Sequence, residues 1–95
     1  MKIIWSDEAA EDYEQNIDYL MKKWSESVAI EFIEDVEAAI ELIKTHPELY
    51  PLTGYKNVRR AVIRKQITLF FRSGRGEIDL IRFWNSYKDP KTLKL

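Results

Sequence analysis

Residues 67–84, ITLFFRSGRGEIDLIRFW, decide how the chain is read. Two runs rich in β-branched and aromatic residues flank SGRG, so the segment is expected to be a β-hairpin with strands Ile67 to Arg72 and Glu77 to Trp84. Alternation along each strand sorts the side chains. Ile67, Leu69 and Phe71 share one face of the first, and Thr68, Phe70 and Arg72 the other. In the second, Ile78, Leu80, Arg82 and Trp84 alternate with Asp79, Ile81 and Phe83. Both faces carry aromatic residues, and each run holds an arginine where an unpaired charge is costly and a partner is expected. An internal acid such as Asp79 or Glu77 could serve one of them; another molecule could serve the pair.

Upstream, Val58 to Lys65 (VRRAVIRK) reads as a further strand, giving an antiparallel meander. Before it, HPELYPLTGYKN has two prolines, a glycine and no periodicity, and is expected to be a loop. The first 45 residues carry helical periodicity. Ser6 is an N-cap candidate, with Asp7 and Glu8 in the first turn, and Ala10, Tyr13, Ile17, Leu20 and Trp24 recur at spacings of three and four. Ser25 or Ser27 can cap a second helix with the stripe Ala29, Phe32, Ile33, Val36, Ile40 and Ile43, ending near Thr45 because Pro47 disfavours helical geometry at His46. The short WSES connection makes the two helices antiparallel neighbours, and Lys2 to Trp5 could add an edge strand. The expected fold is α+β: a short N-terminal strand, then a helical hairpin packed on one face of a small twisted antiparallel sheet, in the order β-α-α-β-β-β. The other face, apolar and arginine-bearing, is left needing something to pack against.

Ninety-five residues fit one domain, residues 1–95, and 45% hydrophobic with 33% charged residues is the composition of a folded chain. There is no cysteine, which removes disulfides, thiolate metal sites and cysteine nucleophiles. The opening residues resemble neither a signal peptide nor a membrane anchor, so a cytoplasmic location is expected. A net charge of −1 conceals a split: residues 1–50 hold four Lys and thirteen Asp or Glu, net −9, whereas residues 51–95 hold eleven Lys or Arg and three acids, net +8. Such asymmetry points to a polyanion or an acidic partner, or to charges that merely solvate different outer faces.

Arg59, Arg60, Arg64, Lys65, Arg72, Arg75 and Arg82 form the strongest chemical signal, because a sheet brings them close and guanidinium forks suit phosphate or carboxylate. Arg60, Arg64 and Arg75 equally suit strand edges and turns as solubilising charges. His46, the single histidine, lacks clustered carboxylates, so no metal site is expected. No serine sits in a nucleophile elbow and no glycine-rich phosphate loop is present. The helical aromatics Tyr13, Tyr19, Trp24 and Phe32 are expected in the core or the hairpin packing. After the last strand come Asn85, Ser86 and Tyr87, then Lys88 and a proline stop. They could line a cleft, where Tyr87 either exchanges a proton with a substrate or caps the core with its ring.

Taken whole, the chain resembles the RelE/ParE toxins of bacterial type II toxin–antitoxin systems, often labelled plasmid stabilisation proteins. The resemblance rests on WSDEAAEDYEQNIDYLMKKWS (5–25), on AIEFIEDVEAAIELIKTHPELYP (29–51), on VRRAVI with Arg59 at the family's strand arginine, and on LFFR followed by EIDLIRFW. It implies the same helical hairpin on a sheet, no cofactor, and an antitoxin whose acidic, amphipathic C-terminal segment wraps the toxin. Toxin homodimers or toxin–antitoxin heterotetramers are implied assemblies. The expected binding residues, for antitoxin or target, are Arg59, Arg60, Arg64, Lys65, Phe70, Arg72, Arg82, Trp84 and Asn85.

Two activities divide the family. RelE-like members cleave messenger RNA on the ribosome, and in that case Arg59, Arg72, Arg82 and Tyr87 would be the catalytic set. ParE-like members instead poison DNA gyrase by contact. The long helical hairpin is similar to ParE-like members, and Asn85, standing where many nuclease members have His or Arg, cannot act as a general acid or base. The expectation is therefore a ParE-like toxin, with a RelE-like ribonuclease as the alternative and a non-toxic antitoxin-binding module as a further one.

Overall fold

A computed structural model describes residues 1–87, 93 and 95. The proline stop expected after Lys88 lies outside the described residues. The elements are β1 (Lys2–Trp5), α1 (Asp7–Lys23), α2 (Glu26–Thr45), a short 3-10 turn (Pro47–Leu49), β2 (Arg59–Arg64), β3 (Ile67–Gly74) and β4 (Glu77–Asn85). Both helix starts follow from local chemistry. The Ser6 hydroxyl accepts from the Ala9 N–H and the Ser25 hydroxyl from the Val28 N–H, each in extended backbone immediately before the helix. Helix α2 ends at Thr45, as Pro47 requires.

The strands form one mixed sheet in the order β1-β4-β3-β2. β2, β3 and β4 make the antiparallel meander, and β1 adds at the edge parallel to β4, Lys2 to Trp5 lying beside Glu77 to Leu80. The β3–β4 turn narrows to Arg75 and Gly76, both with positive φ (52° and 75°), the two-residue turn whose twist matches a hairpin.

Strict alternation fails in β4. Phe70 pairs with Arg82 but Phe71 pairs with Leu80, leaving Ile81 as an extra residue in a β-bulge. Because the side-chain period is two, one inserted residue exchanges the faces beyond it. Phe83 and Asn85 therefore join Ile78 and Leu80 in the interior, while Arg82 and Trp84 leave it. The expected grouping of Arg82 and Trp84 with Ile78 and Leu80 is corrected here, and the bulge is what keeps an arginine out of the core.

The helices cover one face. Phe32, Val36 and Ile43 of α2 and Leu20 of α1 pack with Ile67, Leu69, Phe71, Ile78, Leu80 and Phe83. Trp5 stacks on Phe83 at 5.6 Å and meets Tyr13 edge-on at 5.2 Å, so β1, α1 and β4 share one aromatic cluster. The buried stripe of α1 is Ala9, Asn16 and Leu20, with Tyr13 alongside, rather than one running from Ala10 to Trp24; Ala10 and Trp24 face solvent.

Burial first, and the Glu37 carboxylate second, push the Tyr13 phenol above its ordinary value. The folded state then keeps that proton after the unfolded chain has lost it. Stability is full below the unfolded-state value of about 10 and is lost as pH rises through the folded-state value. Tyr13→Phe is predicted to reduce the alkaline loss in a urea titration series above that pH, and an unchanged alkaline limb would contradict this.

Candidate functional site

The sheet face away from the helices carries three transverse rows fixed by register. Val62, Thr68 and Trp84 form one, Arg60, Phe70 and Arg82 the next, and Arg72 with Asp79 and Ile4 the third. Arg60 and Val62 are exposed and Phe70, Arg72 and Trp84 half-buried, so apolar rings and guanidinium groups do share one uncovered face. Arg59, Arg64 and Asn85 do not. Arg59 lies beside Phe71, and a second bulge, at Ile63, puts Arg64 beside Ile67, both on the covered side.

The charges of most of these arginines are already occupied. Arg82 forms a two-pronged contact with Asp12 of α1, Nε to Oδ2 at 2.7 Å and Nη2 to Oδ1 at 3.0 Å, and Oδ2 also accepts the Phe83 N–H at 3.0 Å. The acid that meets Arg82 is thus Asp12 of the first helix rather than Asp79 or Glu77. Arg72, opposite Asp79, donates Nε to the Lys56 carbonyl. Arg59 donates Nη1 to the Tyr50 carbonyl at 2.6 Å. Arg64 reaches Asp35 of α2 at 2.9 Å, with Glu31 at 3.8 Å. Lys65 is exposed and forms no ion pair among the described residues. Arg75 is exposed in the hairpin turn.

Asn85 is 2% exposed, so it is an interior residue and not a lining one. Its Nδ2 donates to Asn16 Oδ1 at 2.9 Å, Asn16 Nδ2 donates to the Asp12 carbonyl, and Asn85 Oδ1 accepts the Tyr87 N–H. This chain satisfies two buried amides and fixes where the backbone leaves β4. Tyr87 itself is 60% exposed, so its ring does not cap the core.

A groove of about 750 Å³ opens at the tip of the helical hairpin, lined by Trp24 at the end of α1, Val28 of α2, Ile63 and Arg64 of β2, Lys65 of the β2–β3 turn, and Tyr87. Of the four residues named for catalysis, it holds only Tyr87. Sequence reading missed it by placing Trp24 in the hairpin packing; the available signal was that Trp24 is the C-cap, the first residue past the helix, where a ring can turn outward. Met21 and Ile30 of the two helices are exposed too. Among the described residues no group of three or more His, Cys, Asp or Glu could hold a metal, and no helix is long and apolar enough to cross a membrane.

Asp12→Ala takes two contacts from Arg82 and the acceptor from the Phe83 N–H, and a broken charged contact of this kind costs about 2–3 kcal/mol. Urea unfolding should show that loss for Asp12→Ala and almost none for the neighbouring Glu8→Ala; equal effects would contradict the clamp.

Comparison with known proteins places this geometry. A family model described as the ParE toxin of the type II toxin–antitoxin system parDE matches residues 3–90. No curated protein sequence matches. Among solved structures, the chromosomal ParDE system of P. aeruginosa superposes with a TM-score of 0.74 at 17% identity, covering 90% of this chain and 95% of that one. A YoeB/ParE toxin from Agrobacterium tumefaciens gives 0.67 at 20% identity, covering 90% and 98%. The heterotetrameric YoeB–YefM toxin–antitoxin complex from Staphylococcus aureus gives 0.63 at 13% identity, covering 88% and 94%.

Proposed function

We propose that this chain, which belongs to the ParE toxin family of type II toxin–antitoxin systems, is a ParE-like toxin that arrests growth by protein contact with DNA gyrase and is neutralised by a cognate antitoxin. The observation that carries the reading is the dispersal of the groups that strand cleavage would need. Arg82 is held by Asp12 at the β4 edge, Arg59 by the Tyr50 carbonyl on the covered side, and Arg72 by the Lys56 carbonyl, while Tyr87 stands in the groove at the hairpin tip. Attack by a ribose hydroxyl requires a base, an acid and a cation converging within hydrogen-bond reach of one phosphate. His46, the single imidazole, sits at the end of α2 against Thr45. A contact poison needs none of that convergence.

The antitoxin is proposed to lay an acidic, amphipathic segment over the uncovered sheet face. Phe70 and Trp84 offer the apolar anchors there, and Arg60, with the prongs of Arg72 not given to Lys56, offers cations for carboxylates. Lys65 extends the cationic edge toward the groove, where Arg64, paired with Asp35, stands beside it. Arg59, Arg82 and Asn85 support this surface by holding the strands rather than by touching the partner. A heterotetramer, the assembly described for the S. aureus YoeB–YefM complex, is the proposed arrangement of toxin with antitoxin.

Purified toxin added to a gyrase supercoiling reaction is predicted to inhibit it, with relief on adding the antitoxin, and primer extension on translated message is predicted to show no new cuts. Ribosome-dependent cuts with supercoiling intact would establish the ribonuclease instead; a chain that binds antitoxin but leaves growth unchanged would establish the non-toxic module.

A further inference from the structure

The connection between α2 and β2 was expected to be an irregular loop, yet it is fastened at nearly every residue. Arg60 N–H donates to the Pro51 carbonyl, Leu52 bridges to Arg59, and the Thr53 N–H and hydroxyl both donate to the Val58 carbonyl. Val58 N–H returns to the Tyr55 carbonyl, and the Tyr50 ring stands edge-on to buried Phe71 at 5.6 Å. Arg59 and Arg72 add their guanidinium groups to the Tyr50 and Lys56 carbonyls.

The knuckle so formed is strained as well as fixed. Gly54, Lys56 and Asn57 all have positive φ, at 88°, 41° and 62°, a conformation disfavoured for the two residues with side chains. A plain connector has no need of it. What the knuckle achieves is display: Leu49 is 65%, Leu52 52% and Tyr55 42% exposed within seven consecutive residues. Lys56 lies over the Tyr55 ring at 5.4 Å, and exposed Arg60 is the second residue of the adjoining strand. Glu48 is the one acid between Pro47 and Arg60. Apolar side chains held rigid in a cationic surround suit association, since little conformational freedom remains to be lost on binding.

We infer that this knuckle is a preorganised contact surface for an acidic, partly apolar patch on the toxin's protein target, at the opposite end of β2 from the hairpin-tip groove. The inference rests on the contact-poison reading above. Charge complementarity selects an acidic partner. A second copy offering its acidic helices is the competing occupant, and self-association of the parent chain distinguishes it.

The test uses the full chain carrying Leu49→Ser, Leu52→Ser and Tyr55→Ser together, with Lys56→Glu as a second variant. Circular dichroism and antitoxin binding should match the parent chain, while growth arrest weakens and the half-inhibitory concentration against purified gyrase rises about tenfold or more for the triple variant. Lys56→Glu should weaken inhibition less, and chiefly at low salt. Undiminished growth arrest by the triple variant overturns the inference. So does loss of antitoxin affinity with arrest retained, self-association of the parent that the triple variant abolishes, or a parent chain that arrests nothing. A parent chain that arrests growth without inhibiting gyrase removes only the gyrase reading, and the variants' effect on arrest still decides the knuckle.

Discussion

Asp12 is the point where the acidic and basic halves of the chain are joined. One carboxylate in the second turn of α1 accepts two donors from Arg82 and one from the Phe83 backbone. Beyond Trp5 the first strand has ended and β4 becomes an edge, with polar groups open to another chain. Helix α1 closes that edge: the Ser6 hydroxyl donates to the Ile81 carbonyl, and Asp12 takes the Phe83 N–H. The bulge at Ile81 lies at the first of these contacts, and through it Phe83 enters the aromatic cluster while Arg82 turns to the helix.

The charge split is therefore partly architectural. Arg82 with Asp12, and Arg64 with Asp35, each tie the basic sheet to an acidic helix. A partly buried pair of this kind contributes mainly by being satisfied, because either partner left alone is costly. The basic character remaining for a partner lies in Arg60, Lys56, Lys65, Arg75 and the outer prongs of Arg72, a differently placed set from the seven cations counted along the strands. Two surfaces result, the aromatic rows of the sheet and the knuckle before β2. Arg72 borders both, facing Asp79 on one side and bonding Lys56 on the other.

Local rules made the elements legible. Serine caps, a proline exit and period-two alternation place both helices and all four strands to within a residue or two, because each signal acts over one turn or one strand. The side-chain parity of β4 was not legible, since nothing in EIDLIRFW distinguishes a bulged strand from a regular one. The partners of the arginines were hidden for a related reason: Asp12 and Arg82 are brought together by the helix crossing the sheet edge, and the knuckle carbonyls are backbone atoms that no residue type advertises. Asn16 escaped notice because an apolar stripe was traced through Ala10, whereas the buried line passes through Ala9 and an asparagine that is tolerable only opposite Asn85. Of the face expected to be aromatic and cationic, Phe70, Arg72 and Trp84 are half-buried and Arg60 is exposed, whereas Arg59 and Arg64 lie on the covered side.

On the proposed reading Arg82 is a fastening and not a reacting group, and one replacement separates those roles. Asp12→Asn combined with Arg82→Met removes both charges at similar volume and keeps an amide oxygen to accept the Phe83 N–H. If the account is right, the double variant unfolds near the parent's denaturant midpoint and still arrests growth on induction. A double variant that folds as the parent does yet has lost growth arrest would contradict it, because the guanidinium would then be acting on something outside the chain.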